Sequence, residues 1–473
     1  AVEVDAEGYV YIGRRAGDAF PTTPGAYQEE FTQKGHKNNL YGHQNGFITK
    51  LSPDGSEIIW STYYGSDSFG FFRDIAVDDE GYVYGILNAV LSKPGGIRDD
   101  AFDATHNGSY DMVPVKFDRD GSDVLWATFL GGSGEDRGGP SIKVGPDKSV
   151  YVNGGTNSKD FPTNVNAYQK EFHGDEAEVF VTRIAPDGKA LIYSTLFGGS
   201  GTEATETHGL YVDHKGQAYV ACGTSSKDIP TTPGAIKPEK PSDAHDALFL
   251  KLSADGSELL ACTYFGGSKG DHPEGLFVDK DENLYVGGET VSDYLPVTLD
   301  ALQWVRAGNS DCWVAKVNPD FTEVLYCTYF GGSSDDEAVR AFDGNDAGVI
   351  AFSGQTRSDN FPHTTNAWQK DHGGLADSYL AIISPENETY ITAENESQIS
   401  IYPNPAKEYL DISAGDFIGG KIRITGLSWR AIIEKEISSE KMRIGLEGIA
   451  SGNYRVSIIF NGRRIIKNLF IIK

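Results

Sequence analysis

The feature that most limits what this chain can fold into is a phrase of aromatic, glycine and serine residues that returns five times at almost fixed spacing. It reads STYYGS at 61–66, ATFLGGS at 127–133, STLFGGS at 194–200, and CTYFGGS at both 262–268 and 327–333. Its first glycines, Gly65, Gly131, Gly198, Gly266 and Gly331, stand 66, 67, 68 and 65 residues apart. A period of this size predicts a repeat architecture, in which each unit buries its apolar face against its neighbours.

Each unit reads as two hairpins. The first alternates apolar and polar residues around an acidic turn, as in VEVDAEGYVYIG from Val2, IAVDDEGYVYG from Ile75, LYVDHKGQAYVACG from Leu210 and LFVDKDENLYVGG from Leu276. Copies from Ile142 and, more degraded, from about Phe342 keep the shape. The second hairpin, such as GFITKLSPDGSEIIWSTYYG from Gly46, turns on Pro-Asp-Gly, where proline presets φ and glycine accepts a positive φ. Four antiparallel strands per unit describe a propeller blade, and radial closure is how such a series hides its sheet edges. Six units fit between residue 1 and about residue 395. The expected fold is all-β: a six-bladed β-propeller of four-stranded blades over 1–395, a linker at 396–400, and a small Ig-like β-sandwich over 401–473. A seven-bladed ring with its first blade upstream is the alternative, because the last hairpin lacks the closing phrase and the chain starts inside a strand.

Between the two hairpins lies a proline-rich segment, AFPTTPGAYQ at 19–28, with counterparts at 160–169, 228–236, 294–303 and 360–369. Thr23 before Pro24 and Thr232 before Pro233 resemble an N-cap followed by proline, which predicts a short helix or helical turn. Tyr27, Tyr168, Ile236, Leu302 and Trp368 would be its apolar anchor. The second unit departs, with LSKPGGIRDDAF at 91–102.

Charge divides the chain near residue 397. Residues 398–473 carry 12 Lys and Arg against 7 Asp and Glu, whereas 1–397 carry 29 against 61. So acidic a repeat region argues against nucleic acid as a partner, since phosphate contacts need a basic face. No apolar run reaches the roughly 18 residues of a membrane-spanning helix. Four cysteines do not make a disulfide scaffold. Cys262 and Cys327 take the place of Ser61, Ala127 and Ser194, which marks them as small buried side chains, although a Cys312–Cys327 bridge across one hairpin is conceivable.

Together the phrases VD-x-x-G-x-x-YV-x-G, FPTTPGAYQ, KLSPDGS and STY-x-GG-S resemble a bacterial β-propeller repeat family of exported proteins, which implies a propeller in an extracellular setting and no particular activity. The tail, from ISIYPNPAKEYLDIS at 399–413 to GNYRVSIIFNGRRIIKNLFIIK at 452–473, is similar to the C-terminal sorting domain of the Bacteroidetes type IX secretion system. Pro403, Asn404 and Pro405 match its opening phrase, Gly452 and Tyr454 its late Gly-x-Tyr, and Lys467 to Lys473 its final strand. The resemblance implies the type IX machinery as a partner of 401–473, transfer across the outer membrane of a Gram-negative cell, and release or attachment at the surface. GLSWR at 426–430 departs from the family's glycine-lysine turn.

Candidate chemistry is sparse. GGSKG at 266–270 matches a nucleophile elbow, but as a repeat turn it lacks the strand-to-helix context a catalytic serine needs. Asp243, His245 and Asp246 share a loop that could hold a metal. Asp118, Asp120 and Asp123, and Asp279 and Asp281, have oxygen-ligand spacing that suits calcium, the one possible cofactor, without a complete twelve-residue loop. Lys50, Lys116, Arg183, Lys251 and Lys316 occupy one strand position and are expected to pair with acidic loops such as Glu135–Asp136, Asp271 or Asp335–Asp336, or to ring the central channel. These observations favour a non-enzymatic binding, adhesion or scaffold module with a glycan or surface-protein ligand. The alternatives are a secreted polysaccharide-degrading enzyme and a recognition subunit of a larger surface assembly. Convergence of acid, base and cation from several blades would separate the enzyme from the rest.

Overall fold

The computed structural model describes residues 1–34, 42–68, 70–174, 176–204, 208–298, 300–384, 400–413, 417–425, 431–460 and 463–472. All regular structure in them is antiparallel strand, and no α-helix occurs among the described residues. The chain divides into two compact units, one of residues 1–346 and 350–382, the other of 347–349 and 383–473.

Six sheets follow one another in the first unit. Four have four strands in simple meander order, the fourth has five strand segments, and the sixth has three among the described residues. In the first sheet the strands run Val2–Val4, Val10–Ala16, Asn45–Leu51 and Ile58–Tyr64. The opening strand of the fourth sheet is split into Glu203–Ala204 and Leu210–Val212. The opening strands Val2–Val4, Phe71–Val77, Asp136–Val144, Leu210–Val212, Asp271–Val278 and Asp336–Gly344 pack on one another in that order, which places them innermost, as in propeller blades.

Local chemistry explains each turn. Asp5 accepts the N–H groups of Glu7 and Tyr9 at 3.0 and 2.9 Å and the hydroxyl of Tyr11 at 3.0 Å, so the acid of the VD phrase closes its own hairpin. The Asp-Gly turns put Gly55, Gly188 and Gly256 at φ of 70–72°, the left-handed region glycine enters without strain.

The proline-rich segments are not helices. Each makes a single turn, Ala26 N to Thr23 O at 3.1 Å, and is stitched along the fourth strand by Thr23 N to Ser61 O and Tyr63 N to Gln28 O, both 3.0 Å. Threonine there binds the strand, its Oγ1 accepting Ser61 N at 3.0 Å, where the sequence suggested an N-cap. Tyr27 packs on Tyr64 and Phe117 as an anchor should, but Trp368 is wholly exposed.

All four cysteines are buried and none is in a disulfide. Cys327 faces Ala315 and Cys312 faces Phe330, so the register sets them apart and no bridge forms. Burial pushes the Cys262, Cys312 and Cys327 thiols up.

Among the described residues the second unit contains seven strands in two antiparallel sheets, of three and four strands. They share one core, which includes Leu410, Ile412, Ile422, Ile424, Ile444, Val456, Ile458 and Leu469.

Candidate functional site

The next-to-last residue of each innermost strand pairs with one residue of the second strand, and that partner is a tyrosine in five units: Tyr11, Tyr84, Tyr151, Tyr219 and Tyr285. Facing these recurrent tyrosines are Glu3, Ala76, Lys143, Tyr211 and Phe277, with Asp343 opposite Ala351 in the sixth. Here the units lose their likeness, and the side chains reach across sheets. Lys143 Nζ lies 3.0 Å from Glu3 Oε1, joining the third sheet to the first. Tyr211 and Phe277 meet edge to face at 5.8 Å. Burial opposes the charge on Lys143, yet Glu3, Asp74 and, beyond them, Asp343 lift its ammonium above the ordinary lysine value. Burial, then Asp346, Asp213 and Asp343, raise the Tyr211 phenol.

Beside this ring sits a histidine–aspartate pair. Asp74 is buried, its oxygens accepting Ile75 N and Ile142 N, both at 3.0 Å. His208 Nδ1 approaches Asp74 Oδ1 at 3.5 Å, and His208 is held at φ 75° with its N–H on Ser141 Oγ at 2.8 Å. Positive φ in a non-glycine residue costs energy and is commonest where a site demands a fixed direction. Burial pushes His208 below the ordinary histidine value, against the pull of Asp74. Side chains from four sheets therefore converge at the axis, a meeting no motif foretold.

The strand cations lie elsewhere. Lys50 stands over the rings of Tyr9 and Tyr11, at 4.3 and 5.0 Å from their centroids, and Lys116 over those of Tyr82 and Tyr84. Arg183 adds Asp147 at 2.7 Å, Lys251 adds Glu282 at 2.9 Å and Lys316 adds Asp279 at 3.3 Å. They pair with the first-hairpin turns and the recurrent tyrosines, not with the loops expected above, and they do not ring a channel.

Those loops instead hold buried carboxylates paired across junctions, a pairing that no motif singled out. Asp111 with Asp136, Glu178 with Glu203, Asp246 with Asp271, and Asp311 with Asp336 are buried at four successive junctions. The second acid of each pair accepts the hydroxyls of a Thr-x-Ser phrase: Ser158 Oγ to Asp136 at 2.9 Å, Ser226 Oγ to Glu203 at 2.6 Å, and Ser292 Oγ and Ser358 Oγ to Asp271 and Asp336 at 2.8 Å. The first acid accepts the glutamine that ends the proline-rich segment, Gln169 Nε2 to Glu178 at 2.7 Å and Gln303 Nε2 to Asp311 at 2.6 Å. Burial raises Asp136, Glu203 and Asp271, with the Thr and Ser hydroxyls and a backbone N–H opposing it. Asp246 is different, because the buried ammonium of Lys240 lies 2.8 Å away. An acid five residues after the first glycine of the closing phrase, followed by Thr-x-Ser, was the readable signal.

The metal candidates are engaged in other ways. Asp118 accepts Ser122 N and Oγ at 2.8 and 2.7 Å, and Asp123 accepts Val124 N at 2.9 Å. Asp279 closes its turn by accepting Asp281 N and Asn283 N, while Asp281 pairs with Lys280 at 2.9 Å and Asp120 lies in the same turn as Asp118. Asp243 pairs with Lys227 at 2.6 Å and His245 stacks on His272. Among the described residues no three His, Cys, Asp or Glu side chains gather to hold a metal. Two closing-phrase serines are also committed, Ser133 Oγ donating to Asp160 at 2.9 Å and Ser200 Oγ to Asp228 at 3.1 Å.

In the tail, Pro403, Asn404 and Pro405 follow the strand Ser400–Tyr402, Gly452 and Tyr454 lie in Gly452–Phe460, and Lys467 lies in Arg463–Ile471. Tyr454 donates its hydroxyl to Ala450 O at 2.8 Å. Lys473 and 426–430 lie outside the described residues.

Residues 400–473 match the family described as secretion system C-terminal sorting domain. This tail is a type IX sorting domain, and it directs the protein to the cell surface or the extracellular space. No curated protein matches the chain. Among solved structures, a protein of unknown function from Bacteroides caccae is 10% identical, covering 72% of this chain and 81% of its own, with a TM-score of 0.36. PorZ, a surface component of the type IX secretion system of Porphyromonas gingivalis, is 13% identical over 99% of this chain and 58% of its own, with a TM-score of 0.32. A protein of unknown function from Dyadobacter fermentans is 12% identical over 81% and 94%, with a TM-score of 0.42.

Proposed function

We propose that this is an exported β-propeller that binds a glycan at the axial end of its channel without transforming it, presented at the cell surface by its sorting domain. The observation that carries this reading is the loss of repetition at one position. That position's strand partner stays a tyrosine in five units, whereas Glu3, Ala76, Lys143, Tyr211, Phe277 and Asp343 differ in charge, size and aromaticity. An aromatic edge beside an ion pair suits a sugar, whose C–H face rests on a ring while its hydroxyls meet charged groups. The experiment is a glycan array followed by calorimetry on Tyr211→Ala and Lys143→Met. Each variant is expected to weaken binding at least about tenfold, roughly 1.4 kcal/mol. Binding unchanged in both would remove the axial reading, and a blank array would remove the carbohydrate.

The His208–Asp74 pair supports a second reading, a polysaccharide-degrading enzyme with His208 as a neutral base oriented by Asp74. Release of new reducing ends by the parent protein and not by His208→Ala is its test. No release from any polysaccharide tried would dispose of it. Calcium at the Asp118 or Asp279 turn remains a proposal, tested by the thermal midpoint in millimolar calcium and in chelator.

A further inference from the structure

Successive sheets meet through the same contacts. The third-from-last residue of an innermost strand, Ile75, Ile142, Leu210, Leu276 or Phe342, is buried toward the preceding sheet. Ile75 fills the space above Gly13 of that sheet, and Phe342 the space above Gly275. A third-strand residue, Ile48, Val181, Phe249 or Val314, is buried toward the following sheet. The second-hairpin turn of the following sheet is then capped from behind. Trp60 covers Gly121 and Trp126 covers Gly188, their indole N–H groups reaching Arg119 O and Pro186 O at 2.9 Å. Tyr27 N, Phe102 N and Tyr168 N donate to Gly121 O, Gly188 O and Gly256 O at 2.8, 3.1 and 3.1 Å.

At the two ends of the series these positions are bare. Val2, the counterpart of Ile75, is 60% exposed, and nothing lies within 4 Å of where a Cβ on Gly55 would sit. Leu380, the counterpart of Ile48, is 74% exposed, and Ile382 stands 66% exposed where other units carry a cation. Had six sheets completed the circle, the Leu380 face and the Val2 face would cover each other.

We propose that the space between the sixth and first sheets receives a seventh four-stranded sheet of this same repeat, carried by the same polypeptide ahead of Ala1. Both faces continue an interface already built five times, and so they define their occupant. Its fourth strand carries an aromatic over Gly55 with an N–H or O–H toward Pro53 O, its loop gives a backbone N–H to Gly55 O, and its second-hairpin turn accepts Trp368 N. The source follows from length. A unit takes 65–68 residues, and only residues 384–399 separate the sixth sheet's third strand, Asp377–Ile383, from Ser400. The new sheet would also place a seventh side chain at the axis, between Asp343 and Glu3. This inference rests on packing alone and stands or falls apart from the ligand reading.

The test begins with the amino-terminal sequence and intact mass of the protein recovered from cells. At least one further repeat phrase ahead of Ala1 is expected, and a protein beginning at Ala1 would overturn the proposal. Leu380→Glu is then made in that full polypeptide and in residues 1–473 alone. The midpoint should fall by at least about 2 °C in the first and stay within about 1 °C in the second, because only the first covers the site. Val2→Glu, on the opposite face, repeats the comparison. Two results would overturn the proposal: residues 1–473 associating into oligomers that Leu380→Glu disperses, making a second copy the occupant, or a monomer of 1–473 that Leu380→Glu destabilises, meaning that the ring closes on itself.

Discussion

At the scale of single residues, one pair of positions shows why the closing phrase varies between serine, alanine and cysteine. Where the third strand offers threonine, the fourth offers serine, and Thr49–Ser61 and Thr182–Ser194 share hydrogen bonds of 2.8 Å. Where it offers Val115, Leu250 or Ala315, the partner is Ala127, Cys262 or Cys327. A buried hydroxyl needs a partner and a thiol does not. Cys262→Ser is therefore expected to cost about 1–3 kcal/mol in denaturant unfolding. Adding Leu250→Thr should make the double variant less unstable than the two single losses summed, and additivity would refute the pairing. Lys240 invites a similar argument, since its ammonium and Asp246 are both almost fully buried. Lys240→Met would strand that carboxylate, with an expected loss of about 3–5 kcal/mol by the same measurement.

At the scale of elements, the junction of the second and third sheets combines an aromatic cap, Trp126, with a buried acid pair, Asp111 and Asp136. Trp126→Ala removes both the cover over Gly188 and the bond to Pro186 O, so a loss of about 3–5 kcal/mol is expected, read as a lower denaturant midpoint. The acids govern pH dependence. Burial raises Asp136, Glu203 and Asp271 above the ordinary carboxylate values, so the folded state holds their protons more tightly than the unfolded chain. Below the unfolded value, about 3.9 for Asp, both states are protonated and these groups contribute nothing. As pH rises from there through the folded value, the unfolded chain ionises first and stability falls. Asp271→Asn should flatten that decline in midpoints measured from about pH 4 upward, and an unchanged slope would show that Asp271 does not titrate there.

At the scale of the whole molecule, the repeated body and the sorting tail are separate units. The repeated body sets directions for a few unlike side chains, and the sorting domain carries the product out of the cell. Deleting residues 400–473 is expected to leave the repeat protein inside the cell, read by fractionation and intact mass. Equal export without them would contradict the sorting role of this tail. Net charge also acts at this scale. With 61 acidic against 29 basic residues in 1–397, rising salt should raise the midpoint of the repeat region by screening its self-repulsion.

The strand pattern, the unit length, the hairpin turns and the sorting tail were legible in the chain because each is local: alternation, a Pro-Asp-Gly turn or a short signature needs only neighbours in sequence. Period alone could also say that Cys262 and Cys327 sit where something small belongs. What the chain could not reveal is which loops face which. The acid pairs join residues about 25 apart across two sheets, and Lys143 meets Glu3 from 140 positions away. Lys50 and its kin looked like partners for the nearest acidic loops, yet strand register carried them onto tyrosines and the hairpin turns of their own sheets or of the next. Tertiary packing decided these contacts because the twist and order of the sheets, not separation along the chain, set the distance between two side chains.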